Sequence, residues 1–328
     1  MSSSQVLSVR NLDTRFQTQA GEIRAVDDVS FDLKIGEILG LVGESGSGKS
    51  VTGFSIMGLV DEPGEIYGGQ IKFKGEDLTK VSSKRYDGLR GREIAMIFQD
   101  PKASLNPVLT IGDQIAEAIS LHQSTTKKES LQKTNEILRE VGIPDTEKRA
   151  KEYPFEFSGG MRQRAMIALA LSMQPKLLIA DEPTTNLDVT TQAQILVLMK
   201  ELQKKFKTSI LLITHDLGVV AQLCEKVIVM YAGKVVESGT VNDILLNPKH
   251  PYLQGLLKSM PNPLTKMDRL QIIQGTVPTL INPIPGCRFS DRCEFVMEKC
   301  KEKVPEFTKI NKDHKVSCYL YEENGGKK

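Results

Sequence analysis

Residues Gly43–Ser50 read GESGSGKS, the pattern of a loop that binds the phosphates of a nucleotide. The glycines of such a loop let backbone N–H groups turn inward around an anion, and the following helix directs its N-terminus toward the same charge. The lysine reaches the β- and γ-phosphates, and the last hydroxyl is a ligand for Mg²⁺. The predicted contact residues are Gly43, Ser45, Gly46, Gly48, Lys49 and Ser50.

Two apolar runs end in residues that suit phosphate hydrolysis. The run LLIADEP ends in Asp181, which can hold the Mg²⁺ shell, and Glu182 follows at once. Because side chains alternate along a strand, Glu182 points elsewhere and is placed to orient or deprotonate the attacking water. The run LLITHD brings His215 to a similar strand end, where it can donate a hydrogen bond to the γ-phosphate.

The apolar pattern predicts the elements that must position these groups. Residues 6–35 alternate between apolar and polar side chains, which indicates antiparallel strands. The run GEILGLVG predicts a buried parallel strand just before the phosphate loop. Helical patterns follow at about 110–150 and at 162–173, and KVIVMYAGKVVESG predicts a hairpin that turns at Ala232-Gly233. Strands that alternate with helices indicate an α/β core.

The segment FSGGMRQR, residues 157–164, resembles the signature sequence of the ATP-binding cassette (ABC) family of transport ATPases. In that family, Ser-Gly-Gly begins a helix whose positive end faces the γ-phosphate of a nucleotide bound by the other subunit. The resemblance therefore implies that Ser158, Gly159 and Gly160 bind nucleotide in trans. It also implies an ABC-type P-loop ATPase fold: a RecA-like α/β core, an antiparallel β-subdomain and a helical subdomain at about 100–170.

Three further residues match the order of motifs in that family. Gln99 in IFQD resembles the Q-loop glutamine, which contacts Mg²⁺ or the attacking water and senses the membrane partner. Asp188, at the end of TTNLD, resembles the D-loop at the dimer interface, and Phe16 aligns with the aromatic residue that stacks on adenine. The resemblance implies ATP and Mg²⁺ as cofactors, with Mg²⁺ bound near Ser50, Gln99 and Asp181.

Two segments resemble one branch of the family, the ATPase subunits of importers for dipeptides, oligopeptides and nickel. They are FQDPKASLNPVLTIGDQI, which begins at residue 98, and HPYLQGLLKSMP, at 250–261. The resemblance implies a second ATPase subunit, identical or not, and two membrane permeases, which a helical insert at about 100–155 contacts. An extracytoplasmic binding protein delivers the solute. We expect di- or oligopeptides, with nickel or another small solute as the alternative, because the cassette itself does not touch the solute.

Four of the five cysteines gather near the C-terminus, at Cys287, Cys293, Cys300 and Cys318. Their gaps match neither the usual zinc pairs nor the common ferredoxin spacing, although four thiolates suit either metal centre. The pattern CRFxxRC with two later cysteines resembles the tails of the same importer branch, which implies a [4Fe-4S] cluster; zinc and free thiols are the alternatives. Arg288 and Arg292 are expected to offset the thiolate charge. We therefore predict a nucleotide-binding domain at 1–250 and a metal-binding extension at 251–328.

Composition limits the remaining classes. The 328 residues have room for two domains, and a net charge of +2 gives no electrostatic footprint for nucleic acid. Because the chain shows neither a membrane-spanning apolar run nor a signal peptide, we expect it to stay in the cytosol. The resemblance to importer subunits then implies a peripheral protein on the cytoplasmic face of the cell membrane. A soluble ABC protein of translation or DNA repair is the alternative from another class. It would need a second cassette or a long coiled-coil insert, and we find neither.

Overall fold

The strands predicted from the apolar runs are present in the computed structural model, which describes residues 5–100, 104–260 and 273–322. Two compact units share these residues. The first unit comprises residues within 1–7, 32–38 and 72–213, and the second comprises residues within 8–31, 39–71 and 214–328. Within the described ranges, no helix combines the length and the apolar character that a membrane crossing requires.

The strands of the described residues are β1 (Gln5–Thr18), β2 (Gly21–Lys34), β3 (Ile38–Val42), β4 (Gly64–Phe73), β5 (Glu76–Asp77), β6 (Ile94–Ile97), β7 (Leu177–Asp181), β8 (Ser209–Thr214), β9 (Lys226–Tyr231), β10 (Lys234–Thr240), β11 (Phe307–Lys309) and β12 (Lys315–Ser317). The helices are α1 (Lys49–Met57), α2 (Ser83–Leu89), α3 (Ile111–His122), α4 (Lys127–Glu140), α5 (Thr146–Arg149), α6 (Gly159–Leu171), α7 (Val189–Phe206), α8 (Leu217–Leu223), α9 (Val241–Leu246), α10 (Pro251–Lys258) and α11 (Glu298–Glu302). Four of the strands form a sheet in the order β2-β1-β4-β5.

The first unit contains three parallel strands, in the order β8-β7-β6. Every residue of these strands is buried, which explains why their sequences read as unbroken apolar runs. The pairing places Ile97 beside Ala180 and Asp181 beside Ile213. The carboxyl ends of the three strands therefore share one edge, and the residues that follow them project from that edge. Helices α3 to α7 also belong to this unit.

The second unit is built on the strand order β11-β12-β10-β9-β3. Strand β3 runs parallel to β9, and β9 and β10 form the predicted hairpin, with Tyr231 paired to Lys234. The two turn residues have positive φ angles, 46° at Ala232 and 86° at Gly233. That geometry matches the right-handed twist of the flanking strands, so the turn was predictable from its sequence.

The C-terminal extension adds β11 and β12 to the same sheet, with Glu237 of β10 beside Val316 of β12. The Glu237 carboxylate is fully buried and lies 2.7 Å from Nε2 of His314, which is also fully buried. It accepts further hydrogen bonds from the backbone N–H groups of Lys249, at 2.9 Å, and His250, at 2.6 Å. Burial raises the pKa of Glu237, and these partners act against that rise. One carboxylate therefore joins β10, the start of α10 and β12.

We expect His314→Ala to destabilise the second unit, because it leaves the buried Glu237 carboxylate one hydrogen-bond partner short. The loss should be about 1–3 kcal/mol in the free energy of unfolding. Urea denaturation measures this, with hydrogen exchange in β12 reporting where the structure opens. Lys315→Ala is the matched control, because this neighbouring side chain is exposed. Equal effects of the two substitutions would contradict the buried contact.

Candidate functional site

The phosphate loop is a tight backbone turn that only glycine can form at two positions. A Cβ atom at Gly48, where φ is 94°, would lie 2.1 Å from the carbonyl oxygen of Ala25. A Cβ atom at Gly43 would lie 2.2 Å from the carbonyl oxygen of Met230. Strands β2 and β9 therefore approach the loop so closely that a side chain at either position would force the backbone apart.

Lys49 begins helix α1 directly after the loop, and its side chain folds back over it. The Nζ atom donates hydrogen bonds to the carbonyl oxygens of Gly43 and Glu44, both at 2.8 Å. The residue is only 5% exposed. The ammonium group is thus held at the loop, the position in which the motif uses it to bind phosphate.

In the first unit, the structure brings Gln99 and Glu182 together. Gln99 follows β6, and its Nε2 donates to Oε2 of Glu182 at 2.9 Å. The same carboxylate oxygen accepts from Oγ1 of Thr185 at 2.9 Å. The backbone of Glu182 has a φ of 46°, and its N–H donates to the carbonyl oxygen of Ile213 at 2.8 Å. A glutamate in this left-handed conformation is strained, and such strain is concentrated at functional sites.

Asp181 and His215 occupy the predicted strand ends. Asp181 is the last residue of β7 and is 3% exposed. His215 directly follows β8 and is exposed. The predicted nucleotide residues are therefore divided between the units: Asp181, Glu182 and Gln99 belong to the first, and the phosphate loop and His215 belong to the second.

The signature residues lie at the N-terminus of α6. Ser158 caps this helix, since its side chain accepts from the N–H of Met161 at 3.3 Å. A Cβ atom at Gly160 would lie 2.8 Å from Cγ2 of Thr191, so the glycine permits the start of α7 to approach. The exposed N-terminus of α6 offers N–H groups and a positive helix end to an anion, as the signature requires.

Asp188 caps the neighbouring helix α7. Its carboxylate accepts from the N–H of Thr191 at 2.9 Å and from Oγ1 of the same residue at 2.7 Å. The backbone hydrogen bond from Thr191 is the largest of several that lower the pKa of Asp188, so the carboxylate stays ionised at the helix N-terminus. The predicted D-loop residue thus has a local structural role as well.

Phe16 lies on β1 in the second unit with its ring half-buried. A Cβ atom at Gly64 would lie 2.5 Å from Cε1 of this ring, so Phe16 packs against the start of β4. The ring keeps partial exposure, which stacking on adenine requires. Its adenine contact stays a prediction.

The four C-terminal cysteines converge, although they are spread over 32 residues of sequence. All four line one cavity of about 20 Å³. Burial is the main cause of the raised pKa of Cys287, and the proximity of the other three thiols adds to it. A tetrahedral zinc site, with bonds of about 2.3 Å, needs sulfurs about 3.8 Å apart. Within the described residues, no group of three or more His, Cys, Asp or Glu side chains is arranged to hold a single metal ion.

Burial is the main cause of a raised pKa at three of the four thiols. It raises the pKa of Cys287 to about 12 and that of Cys318 to about 11, and it also raises the pKa of Cys293. Without a metal these three thiols are therefore protonated at neutral pH, and any metal must displace their protons when it binds.

The expectation that two arginines offset the thiolate charge is wrong, since both guanidinium groups pair with carboxylates instead. Arg288 binds Asp27, and Arg292 binds Glu44 with Nη1 and Oε2 2.8 Å apart. A guanidinium fork matches a carboxylate better than a thiolate, and these carboxylates come from distant parts of the sequence.

Sequence reasoning missed several residues that support the site. Thr185, which hydrogen-bonds Glu182, stood within the TTNLD segment that we assigned only to the D-loop. Tyr252 accepts the N–H of Glu44 at 2.8 Å and stood within the HPY segment, which we used only to recognise the branch. The two segments drew attention to these residues in the sequence. The hydrogen-bond partners of Thr185 and Tyr252, however, follow only from tertiary contacts.

Two family models match the chain. The model of the ABC transporter matches residues 26–185, which include the phosphate loop, the signature and Glu182. The model of the C-terminal region of oligopeptide/dipeptide transporters matches residues 236–300, which include three of the clustered cysteines.

Curated relatives and solved structures agree with these models. The oligopeptide transport ATP-binding protein AppD of Bacillus subtilis is 54% identical, over 98% of this chain and 98% of its own. The dipeptide transport ATP-binding protein DppD of the same organism is 51% identical, over 97% of this chain and 95% of its own. A dimeric ATP-binding cassette, MJ0796, in a post-hydrolysis state with ADP and Pi, has a TM-score of 0.65 and 25% identity, over 72% of this chain and 98% of its own.

These matches confirm the predicted α/β ABC ATPase fold. The chain belongs to the ATPases of the ABC transporter family, and its C-terminal region is that of the oligopeptide/dipeptide transporters.

Proposed function

We propose that this chain binds and hydrolyses ATP to power the import of di- or oligopeptides through a membrane permease. The observation that carries the hydrolytic part is the hydrogen bond from Gln99 to Glu182, which orients a carboxylate at the edge of a parallel sheet. The names of its relatives support peptides over nickel, and they also favour transport over a role in translation or DNA repair.

The proposed hydrolysis depends on orientation and on a fixed base. Lys49 binds the β- and γ-phosphates from the loop, which supplies N–H groups to the same oxygens. Glu182 takes a proton from the attacking water, and Gln99 fixes the carboxylate that does so. His215 donates a hydrogen bond to the γ-phosphate. Lys49, the loop N–H groups and His215 stabilise negative charge on the phosphoryl oxygens during the transfer, which is the main requirement of phosphoryl chemistry.

The residues present suit a magnesium ion. Asp181 is an almost fully buried carboxylate at a strand end, and a hard cation prefers oxygen ligands. Ser50 and Gln99 supply the other predicted protein oxygens. When bound, the ion neutralises charge on the β- and γ-phosphates and helps to hold them in line for transfer.

The proposed working unit contains two ATPase subunits. At each of its two nucleotide sites, the phosphate loop of one subunit faces the signature of the other. We propose that Ser158, Gly159, Gly160 and Asp188 act at that interface. Two permeases and an extracytoplasmic solute-binding protein complete the importer. The chain would then lie at the cytoplasmic face of the membrane, with a nucleotide-binding domain at 1–250 and an extension at 251–328.

A permease contact is proposed for the helical insert at about 100–155. Large apolar side chains are exposed there: Val108 is 76% exposed, Leu121 75% and Phe155 70%. Phe155 also stacks on Tyr153, with ring centroids 5.5 Å apart. A contact with a permease would bury these apolar side chains, which is favourable. Residues 101–103 of the segment that predicted this contact lie outside the described residues.

We further propose that the four clustered cysteines hold a [4Fe-4S] cluster. Their convergence on one cavity, and the resemblance of their pattern to the tails of the same importer branch, support a shared metal centre. When bound, the cluster would serve as a covalent staple for a segment with little core of its own.

We expect Glu182→Gln to lower ATP turnover by about 10²- to 10⁴-fold, because the variant loses the general base but keeps the shape of the site. Turnover is measured by phosphate release from the purified protein with its transporter partners. Glu201→Gln, an exposed substitution on α7, is the control and should keep normal turnover. Normal hydrolysis by Glu182→Gln would remove this residue from the proposed role.

The solute is tested in a strain that lacks this chain. We expect the strain to lose uptake of labelled di- and oligopeptides, and we expect the unaltered chain but not Glu182→Gln to restore it. Loss of nickel uptake with normal peptide uptake would favour the alternative importer.

We expect anaerobically purified protein to be brown, with an absorbance band at about 400 nm that dithionite bleaches and about four irons per chain. Cys293→Ala should remove the band, because it deletes one of four ligands. Cys224→Ala should keep it, because Cys224 packs against the core beside Gly40 instead. Stoichiometric zinc without iron in the unaltered protein would contradict the cluster.

A further inference from the structure

Glu44, the second residue of the phosphate loop, makes hydrogen bonds through its carboxylate, its backbone N–H and its carbonyl oxygen. Its carboxylate accepts two hydrogen bonds from Arg292, at 2.8 Å and 3.3 Å. Its backbone N–H donates to Oη of Tyr252 at 2.8 Å. Its carbonyl oxygen accepts from Nζ of Lys49 at 2.8 Å. One loop residue therefore connects two side chains of the C-terminal extension to the lysine that binds phosphate.

The guanidinium group of Arg292 is fixed on every side. Its Nε donates to the carbonyl oxygen of Gln274 at 3.0 Å, and Nη1 also donates to Oη of Tyr231 at 3.1 Å. Its central carbon lies 5.8 Å from the ring centroid of Tyr231 and 5.9 Å from that of Phe289. The side chain is 7% exposed. A planar fork held in this way presents two N–H groups to Glu44 in one orientation.

Tyr252 is equally restricted. It is fully buried, and its ring centroid lies 4.6 Å from that of Tyr231 and 5.6 Å from that of Phe289. His250 caps α10 by accepting the N–H of Tyr252 at Nδ1, at 3.1 Å. Burial lowers the pKa of His250 to about 3, so the imidazole is neutral and its Nδ1 can accept. The HPY segment therefore positions one hydroxyl group against the phosphate loop.

The middle of the phosphate loop, at Ser45 and Gly46, is exposed. A Cβ atom at Gly46 would meet nothing within 4 Å. Glycine-rich backbone has many conformations available, and a loop that visits the binding conformation only part of the time binds its ligand with lower apparent affinity.

We infer that Arg292 and Tyr252 are positioning residues for ATP binding: they hold the backbone of Glu44 and thereby keep the loop and Lys49 in the phosphate-binding conformation. Neither side chain is assigned a contact with nucleotide. The inference rests on the proposed ATP binding and extends it, because it makes the C-terminal extension a determinant of nucleotide affinity.

The test measures ADP affinity of the full-length chain by displacement of a fluorescent nucleotide. We expect Arg292→Gln to weaken binding about tenfold, as when the competent loop is populated about a tenth of the time. Turnover at saturating ATP should stay within about twofold, because excess nucleotide restores the competent population. Arg292→Lys should recover only part of the affinity, since an ammonium group cannot make the paired contact. Lys309→Gln, an exposed change in the extension, is the matched control.

The same substitution in a Glu44→Ala background separates positioning from a general structural effect. If Arg292 acts through Glu44, Arg292→Gln should cause no further loss there. An equal loss of ADP affinity in the Glu44→Ala background and in the otherwise unaltered chain overturns the inference. Unchanged affinity of Arg292→Gln in the otherwise unaltered chain also overturns it. If circular dichroism shows that Arg292→Gln does not fold, Tyr252→Phe decides the question. This variant removes only one oxygen and should still weaken ADP binding about threefold. Unchanged ADP affinity of Tyr252→Phe overturns the inference.

Failure of the proposed ATP binding gives a different result. In that case the unaltered chain would bind no nucleotide, and Lys49→Ala would be indistinguishable from it. Binding that needs Lys49 but is indifferent to Arg292 and Tyr252 contradicts the positioning role alone.

Discussion

The buried ammonium group of Lys49 is the constraint on which the phosphate loop depends. A charge that is only 5% exposed needs oxygen partners, and the carbonyl oxygens of Gly43 and Glu44 are two of them. The loop that carries those carbonyls passes close to β2 and β9 at Gly48 and Gly43, where no Cβ atom fits. Held in this way, the lysine and the neighbouring N–H groups need little reorganisation to meet phosphate, which is the property that electrostatic catalysis requires.

The C-terminal extension also contacts the phosphate loop, through Arg292 and Tyr252 at Glu44. It extends the sheet that contains β9 and β10, and the fully buried Glu237 joins it to that sheet through His314. Its aromatic residues then place Arg292 and Tyr252 against Glu44. Cys293 directly follows Arg292, so the segment that carries the cysteines also carries the contact to the loop. The extension and the phosphate loop therefore belong to the same unit of the chain.

The parts of the fold that follow local rules were predictable from sequence. The phosphate loop, the buried strands and the turn at Ala232-Gly233 each need particular residue types at fixed spacing, so their patterns predicted them correctly. The ABC family followed from the joint order of motifs, and the comparisons confirm it. Contacts between distant segments were not predictable in this way. Arg292 and Glu44 are 248 positions apart, and only tertiary packing shows that the arginine binds a carboxylate and not the adjacent thiols.

The account predicts that a triphosphate joins two cassettes through the phosphate loop of one and the signature of the other. Light scattering of the Glu182→Gln variant tests this claim most directly, with the second ATPase subunit present if the pair is non-identical. The account predicts that ATP with Mg²⁺ converts the sample to a mass of two cassettes, and that ADP does not. A mass that stays at one cassette under saturating ATP would contradict it.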